Sequence, residues 1–207
     1  MYHKIHEITF RNSITKDRTV YNKLDANSPN LYGSFQRAYN PKNFYNNFDA
    51  INNAKGIFTG GGNTFLLVHE LYRNKLMSTL KNVVENGIPY LGTSAGSNIT
   101  GLTMQNTNDM PIIYPASFTT LGFIKFNLNC HYLDPDANSK HMGETRETRI
   151  NEYHTINNTS VLGLREGSWL DVRGNKVVLK GKLHARLFQP KKQAIELFPE
   201  TDLSFLM

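Results

Sequence analysis

Cysteine is nearly absent from this sequence: Cys130 is the one thiol among 207 residues. A single thiol excludes an internal disulfide framework and any zinc site built from several cysteines. Long hydrophobic runs are missing as well. No apolar stretch approaches the ~18–20 residues that a membrane span needs. The start, Met1-Tyr2-His3-Lys4-Ile5-His6-Glu7, lacks the apolar centre of a signal peptide. The expectation is a soluble cytoplasmic domain with no membrane partner. Internal repeats, low-complexity tracts and a convincing interdomain linker are absent too.

Charge is not gathered in one place. The chain has 23 Lys and Arg against 17 Asp and Glu, a formal net charge of +6. A nucleic-acid binder usually concentrates basic residues with aromatics on one surface. Here the densest basic stretch runs from Arg173 to Lys192, and its charges alternate with apolar residues. That pattern predicts solvated strand faces and hairpin tips, with no nucleic-acid partner.

What is present is enough for a core. Hydrophobic residues make up 39% and charged residues 19%, which predicts a single domain over 1–207. Residues 1–50 carry weak signals: a strand within His6–Phe10, another within Gly33–Tyr39, and a short helix over 42–54. From residue 55 the pattern sharpens. Lys55–Thr59 reads as a strand that runs into Gly60-Gly61-Gly62-Asn63-Thr64. Apolar residues at 65, 68, 72, 76, 80, 83 and 84 predict one helix over Phe65–Val84, stopped by Asn86-Gly87. Ile88–Leu91 is a second strand and leads into Gly92-Thr93-Ser94-Ala95-Gly96. Strand, glycine turn and helix, repeated, predict an α/β fold with a mostly parallel sheet flanked by helices. Further on, Phe126–Tyr132, Val161–Leu164, Ser168–Val172, Lys176–Lys180 and Leu183–Phe188 read as strands, with a C-terminal β-hairpin turning at Gly174-Asn175. Glu144–Asn157 reads as a helix.

Two turns carry chemistry. Gly92–Gly96 fits G-x-S-x-G between strand and helix, the setting that exposes a nucleophilic Ser94 above a sheet. Gly60–Thr64 lacks the lysine of a phosphate loop and the spacing of a dinucleotide turn. A better reading is the second half of an oxyanion hole, because two such turns lie at the same carboxyl edge of a parallel sheet. A serine nucleophile needs a base and an orienting carboxylate. Seven histidines compete for the role of base. His131, between a strand-like run and a turn, is somewhat better placed than His3, His6, His69, His141, His154 or His184, and the residues alone leave the choice open. Cys130 reads as a small buried hydrophobe, since neighbours in a strand point to opposite faces.

Five blocks then occur in order: Gly60–Phe65, Gly92–Asn98, Thr107–Ile112, Gly143–Ile150 and Gly163–Trp169. Together they closely resemble the serine peptidase family that contains peptidase E, an α-aspartyl dipeptidase, and cyanophycinase. The resemblance implies a fold related to class I glutamine amidotransferases and a Ser-His-Glu triad, which falls on Ser94, His131 and Glu166. It implies oxyanion donors at the backbone N–H groups of Gly62 and Ala95. Arg146 would clamp the aspartyl side chain, and Asn108 with Asp109 would form part of the substrate pocket.

The implied reaction is hydrolysis of Asp-Xaa dipeptides through an acyl-enzyme, with no metal or cofactor, small acidic dipeptides as partners, and a monomer or homodimer as the working form. The alternatives are a non-catalytic binding protein and a cyanophycinase-like hydrolase of β-aspartyl bonds. Three departures from the family pattern stand out. The N-terminal strand–helix unit looks missing, Cys130 stands before the His where proline is expected, and Arg165 stands before the Glu where proline is common.

Overall fold

The computed structural model describes residues 8–10, 47–135 and 143–207. The predicted strand within Gly33–Tyr39, the apparent shortfall of a strand–helix unit at the N-terminus, and His141 lie outside the described residues.

Glycine sets the first α/β unit. Strand β2 (Ile57–Thr59) leads through Gly60–Asn63 into helix α2 (Thr64–Arg73), where the Asn63 side chain accepts from the Leu66 N–H as an N-cap. Helix α3 (Met77–Glu85) follows, then strand β3 (Tyr90–Gly92) and the short helix α4 (Ala95–Asn98). The single helix expected over Phe65–Val84 is therefore two. The break is a left-handed cap: Lys75 has φ 57, its N–H donates to Tyr72 O, and the Leu76 N–H donates to Leu71 O. Gly87 (φ 108) ends α3 by the same pair of bonds, to Val84 O from its own N–H and to Val83 O from Ile88. Glycine announces the second stop. At the first, a lysine occupies the glycine position, so the sequence hides it.

The remaining described elements are strand β1 (Ile8–Phe10), helix α1 (Asn47–Asn52), strand β4 (Asn127–Cys130), helix α5 (Arg146–Tyr153) and strand β5 (Val161–Leu164). Strands β6 (Ser168–Arg173), β7 (Lys176–Gly181), β8 (Ala185–Phe188) and β9 (Ile195–Leu197) follow, and a 3₁₀ turn at Ser204–Leu206 closes the chain. Helix α5 is N-capped by Thr145, whose hydroxyl accepts from the Thr148 N–H.

The strands form two sheets, in the order β2-β3-β1-β6-β7 and β4-β5-β8-β9. Among the described residues three pairings are parallel (β2–β3, β1–β6, β4–β5) and four antiparallel (β1–β3, β6–β7, β5–β8, β8–β9). Against the expected mostly parallel sheet, parallel pairings are the minority among the described residues, and the strands divide into two sheets. Parallel pairing survives where glycine turns and helices cross over. The C-terminal half folds back through short turns that allow only antiparallel neighbours. One of these is the two-residue turn Gly174-Asn175 of the β6–β7 hairpin, with Gly174 at φ 59.

The sheets enclose a core of Leu128, Cys130, Leu162, Leu164, Leu170, Val172, Val177, Leu179, Ala185 and Leu187. Strands β6 and β7 alternate buried and less buried residues, as a sheet with one wet face does. Strands β4 and β5 are buried at every position. Their second face packs on α5 through Tyr132, Ile150, Tyr153, Val161 and Phe188. Helices α1–α3 cover β3 with Ile51, Val68, Leu71, Leu76, Met77, Leu80 and Val84. Such side chains contribute ~1.5–3 kcal/mol each when fully buried, so this cluster anchors the layer that carries Ser94. Among the described residues, no helix is long and apolar enough to cross a membrane.

Candidate active site

Strands β2, β3, β4 and β5 each hand the chain to a residue of the site at their carboxyl ends. These residues are Gly60–Gly62, Ser94, His131 and Glu166. Ser94 lies at φ 51, ψ −112, a conformation unfavourable for a side-chain-bearing residue. Packing holds it there. A Cβ on Gly96 would lie 2.0 Å from Thr59 O, and a Cβ on Gly92 would lie 2.5 Å from Gly96 O. The Thr93 N–H donates to Thr59 O and the Gly96 N–H to Gly60 O. The two glycine turns are thereby stitched together, with Gly61 against Ser94: a Cβ there would come within 3.2 Å of Ser94 Cβ.

His131 Nε2 lies 2.9 Å from Ser94 Oγ, and His131 Nδ1 lies 2.5 Å from Glu166 Oε1. With Glu166 ionised, the ring proton belongs on Nδ1, donated to the carboxylate, and Nε2 accepts from the Ser94 hydroxyl. His131 is itself left-handed, at φ 57. Its turn is anchored by the Tyr132 N–H donating to Leu164 O and by the Tyr132 ring, whose seat requires Gly163: a Cβ there would lie 2.7 Å from the ring. Glu166 sits in a β-turn closed by the Ser168 N–H to Arg165 O, with Gly167 at φ 83.

Of the other expected residues, Ala95 follows Ser94 directly, and Gly62 ends the glycine turn whose Gly61 packs on Ser94. The Ala95 N–H opens α4, so it has no acceptor within that helix. A Cβ on Gly62 (φ 137) would meet nothing within 4 Å, so this residue faces open space. Asp109 Oδ2 accepts from the Thr64 N–H at 2.7 Å, from Thr64 Oγ1 at 2.5 Å and from Thr107 Oγ1 at 3.3 Å. It therefore caps α2 as well as lying near the site. Arg146 is half-buried and makes no ion pair among the described residues. Desolvation, then Arg149, holds its pKa down, and Asp109 opposes the shift. Asn108 is occupied by the protein: Nδ2 donates to Asn129 Oδ1 and Cys130 O, and Oδ1 accepts from Asn129 Nδ2. Cys130 points into the core, and burial pushes its thiol up to about 12, which leaves it no thiolate with which to compete with Ser94. No cluster of three or more metal-ligating side chains occurs among the described residues.

Residues 14–180 match peptidase family S51. The chain belongs to this family. It is 49% identical over 157 residues to Peptidase E of Streptomyces coelicolor, covering 76% of this chain and 65% of that protein. It is 46% identical over 159 residues to the Drosophila melanogaster protein named "Probable alpha-aspartyl dipeptidase", covering 76% and 66%. The match thus spans just under two thirds of each of these relatives. A crystal structure of a peptidase from an acI-B1 Actinobacterium superposes with TM-score 0.61 at 13% identity, covering 99% of both chains, a likeness of fold.

Within this S51 chain, three sets of contacts beside Ser94, His131 and Glu166 were not read from the sequence. Gly61 is the member of the glycine triplet closest to Ser94. Asn98 Nδ2 donates to Thr64 Oγ1 and Thr107 Oγ1, joining α4, α2 and the Asp109 loop in one polar cluster. Arg165, Asp134 and Glu196 form an ion cluster behind the base and the acid. The glycine triplet signalled the first. The other two depend on long-range pairing and leave no local signature.

Proposed function

We propose that this chain is a serine-type dipeptidase that hydrolyses Asp-Xaa dipeptides. The observation that carries the reading is the unbroken relay Glu166–His131–Ser94, at 2.5 and 2.9 Å, on a strained serine turn. His131 Nε2 takes the Ser94 proton as Oγ attacks the aspartyl carbonyl, and Glu166 stabilises the imidazolium that results. The N–H groups of Gly62 and Ala95 receive the oxyanion. His131 then protonates the leaving amine, and the C–N bond breaks. Water, deprotonated by the same His131, attacks the acyl-enzyme, and Ser94 Oγ leaves with a proton from His131 to release Asp.

Substrate choice rests on Arg146. A half-buried guanidinium with no carboxylate partner among the described residues suits the aspartyl side chain, which it can bind bidentately. Asp109, near Arg146, suits the substrate ammonium. Asn108 acts by holding its loop against the end of β4, with no amide proton left for substrate. The name of the Drosophila melanogaster relative, "Probable alpha-aspartyl dipeptidase", supports an aspartyl substrate. The amidotransferase-like reading of the fold draws support from the placement of all four site segments after strand ends. In the basic stretch 173–192, Arg173 pairs with Asp171, Lys180 with Glu200, and Arg186 with Glu147 and Glu196. The test is release of free Asp from Asp-Leu, β-Asp-Leu and Leu-Leu. Release from Asp-Leu alone supports the reading; release from β-Asp-Leu alone replaces it with a β-aspartyl hydrolase.

A further inference from the structure

Arg165 stands immediately before the acid of the relay, where a cation could draw Glu166 away from His131. It does the opposite. All five of its N–H groups are taken by other partners. Nε and Nη2 donate to Asp134 Oδ2 and Oδ1 at 2.8 and 2.6 Å. Nη1 and Nη2 donate to Glu196 Oε2 and Oε1 at 2.7 and 2.9 Å. Nη1 also donates to His184 O at 2.9 Å. The guanidinium lies 5.5 Å from the centre of the Tyr132 ring, and its side chain is only 15% exposed. No donor is left for Glu166.

The partners show what the arrangement holds. The backbone ladder between β4 and β5 ends at Cys130 and Leu164, with one more bond from the Tyr132 N–H to Leu164 O. His131, in its left-handed turn, and Glu166, in its β-turn, both lie at that end. Asp134 is three residues beyond the base, and Arg165 is the neighbour of the acid. The bidentate Arg165–Asp134 pair therefore joins the two turns where the ladder no longer does. The cluster continues through Glu196 to Arg186, and from Arg186 to Glu147 beside Arg146 on α5. Partly exposed ion pairs contribute little stability, whereas a guanidinium with every donor engaged fixes geometry.

We infer that Arg165 is a positioning residue: through Asp134 and Glu196 it holds the His131 turn against the Glu166 turn and sets the relay's alignment. This rests on the Ser94–His131–Glu166 reading of the site. A misplacement of about 1 Å in such a constellation costs about 10²-fold in rate.

The test labels Ser94 with a fluorophosphonate probe, which reports the relay without needing an aspartyl group, and measures kcat and KM on Asp-Leu in parallel. Wild type is compared with Arg165→Met, Arg165→Lys, Asp134→Asn and Lys180→Met, with circular dichroism to show that each is folded. Lys180 pairs with Glu200, away from the relay, and serves as the control ion pair. The expected result is labelling by Arg165→Met slowed about 10–100-fold, with kcat falling in step and KM within about twofold of wild type. Arg165→Lys should lie between, Asp134→Asn should be slowed less than Arg165→Met, and Lys180→Met should match wild type. If Arg165→Met fails to fold, Asp134→Asn carries the test, because its side chain is half exposed and Glu196 still holds Arg165. Wild-type labelling rates in folded Arg165→Met or, failing that, in Asp134→Asn would overturn the inference, as would an equal loss in Lys180→Met. A wild type that labels but does not cleave Asp-Leu removes the substrate reading and leaves the labelling comparison to decide. A wild type that does not label overturns both.

Discussion

The Ser94 half and the His131–Glu166 half of this site, proposed as nucleophile half and base–acid half, are held by different means. Around Ser94 the constraint is backbone against backbone. Glycines at 92 and 96 permit approaches that no Cβ would survive, and Thr59 O and Gly60 O accept bonds that lock the two turns together. Around His131 and Glu166 the constraint is side chain against side chain. The Tyr132 ring is seated on Gly163, and Arg165 tethers two turns beyond the end of their ladder. The first half is rigid because nothing larger fits. The second is aligned in part by side chains, Arg165 and Asp134, that could be exchanged singly.

That contrast can be broken in order of effect. Ser94→Ala should lower turnover by about 10⁶-fold, as loss of a triad nucleophile does, with no loss of fold, measured by Asp release alongside a thermal melt. Gly96→Ala should do the reverse, acting on the fold. Its Cβ would run into Thr59 O, so denaturant unfolding should show a loss of about 3 kcal/mol, with activity falling as the turn shifts. An Arg146→Met variant should raise KM for Asp-Leu about 10²-fold, the loss expected when one partner of a charged pair is removed. A KM within twofold of wild type would remove Arg146 from the substrate site.

The two halves also differ in how far the sequence announces them. Gly60–Gly62 and Gly92–Gly96 are legible because glycine is required wherever backbones touch, and that requirement is local. Ser94 follows from its turn. His131 does not follow from spacing, since seven histidines compete and the deciding fact is a strand end formed by long-range pairing; the family resemblance supplied it. Arg165 was legible only as a departure from proline before Glu166, because nothing local reveals that Asp134 and Glu196 claim its donors. The parallel units were legible from glycine turns. The division into two sheets was not, because strand partners are set by packing over distances that periodicity does not register. The break between α2 and α3 was hidden because Lys75 holds a left-handed position that glycine normally marks.

Smaller effects sharpen the contrast. Arg165 holds the Asp134 and Glu196 carboxyls below their ordinary range through its hydrogen bonds. A carboxyl lowered in the folded state stabilises the fold above its unfolded pKa, and this stabilisation fades as pH falls through the folded value. The base–acid half should therefore loosen first below about pH 4. Arg165→Met should move the acid-unfolding midpoint, followed by circular dichroism, to higher pH. Lys75→Gly, remote from both halves, should stabilise the protein by about 0.5–1 kcal/mol in denaturant unfolding, since glycine relieves the left-handed strain at that cap.

The central proposal is that Ser94, activated by His131, which Glu166 orients, cleaves the bond after an N-terminal aspartate. Free Asp released from Asp-Leu by wild type and by Ser94→Ala tests it most directly. The account predicts release by the wild type and none above background by the folded variant. Equal release by both, or a folded wild type that releases nothing, would contradict it.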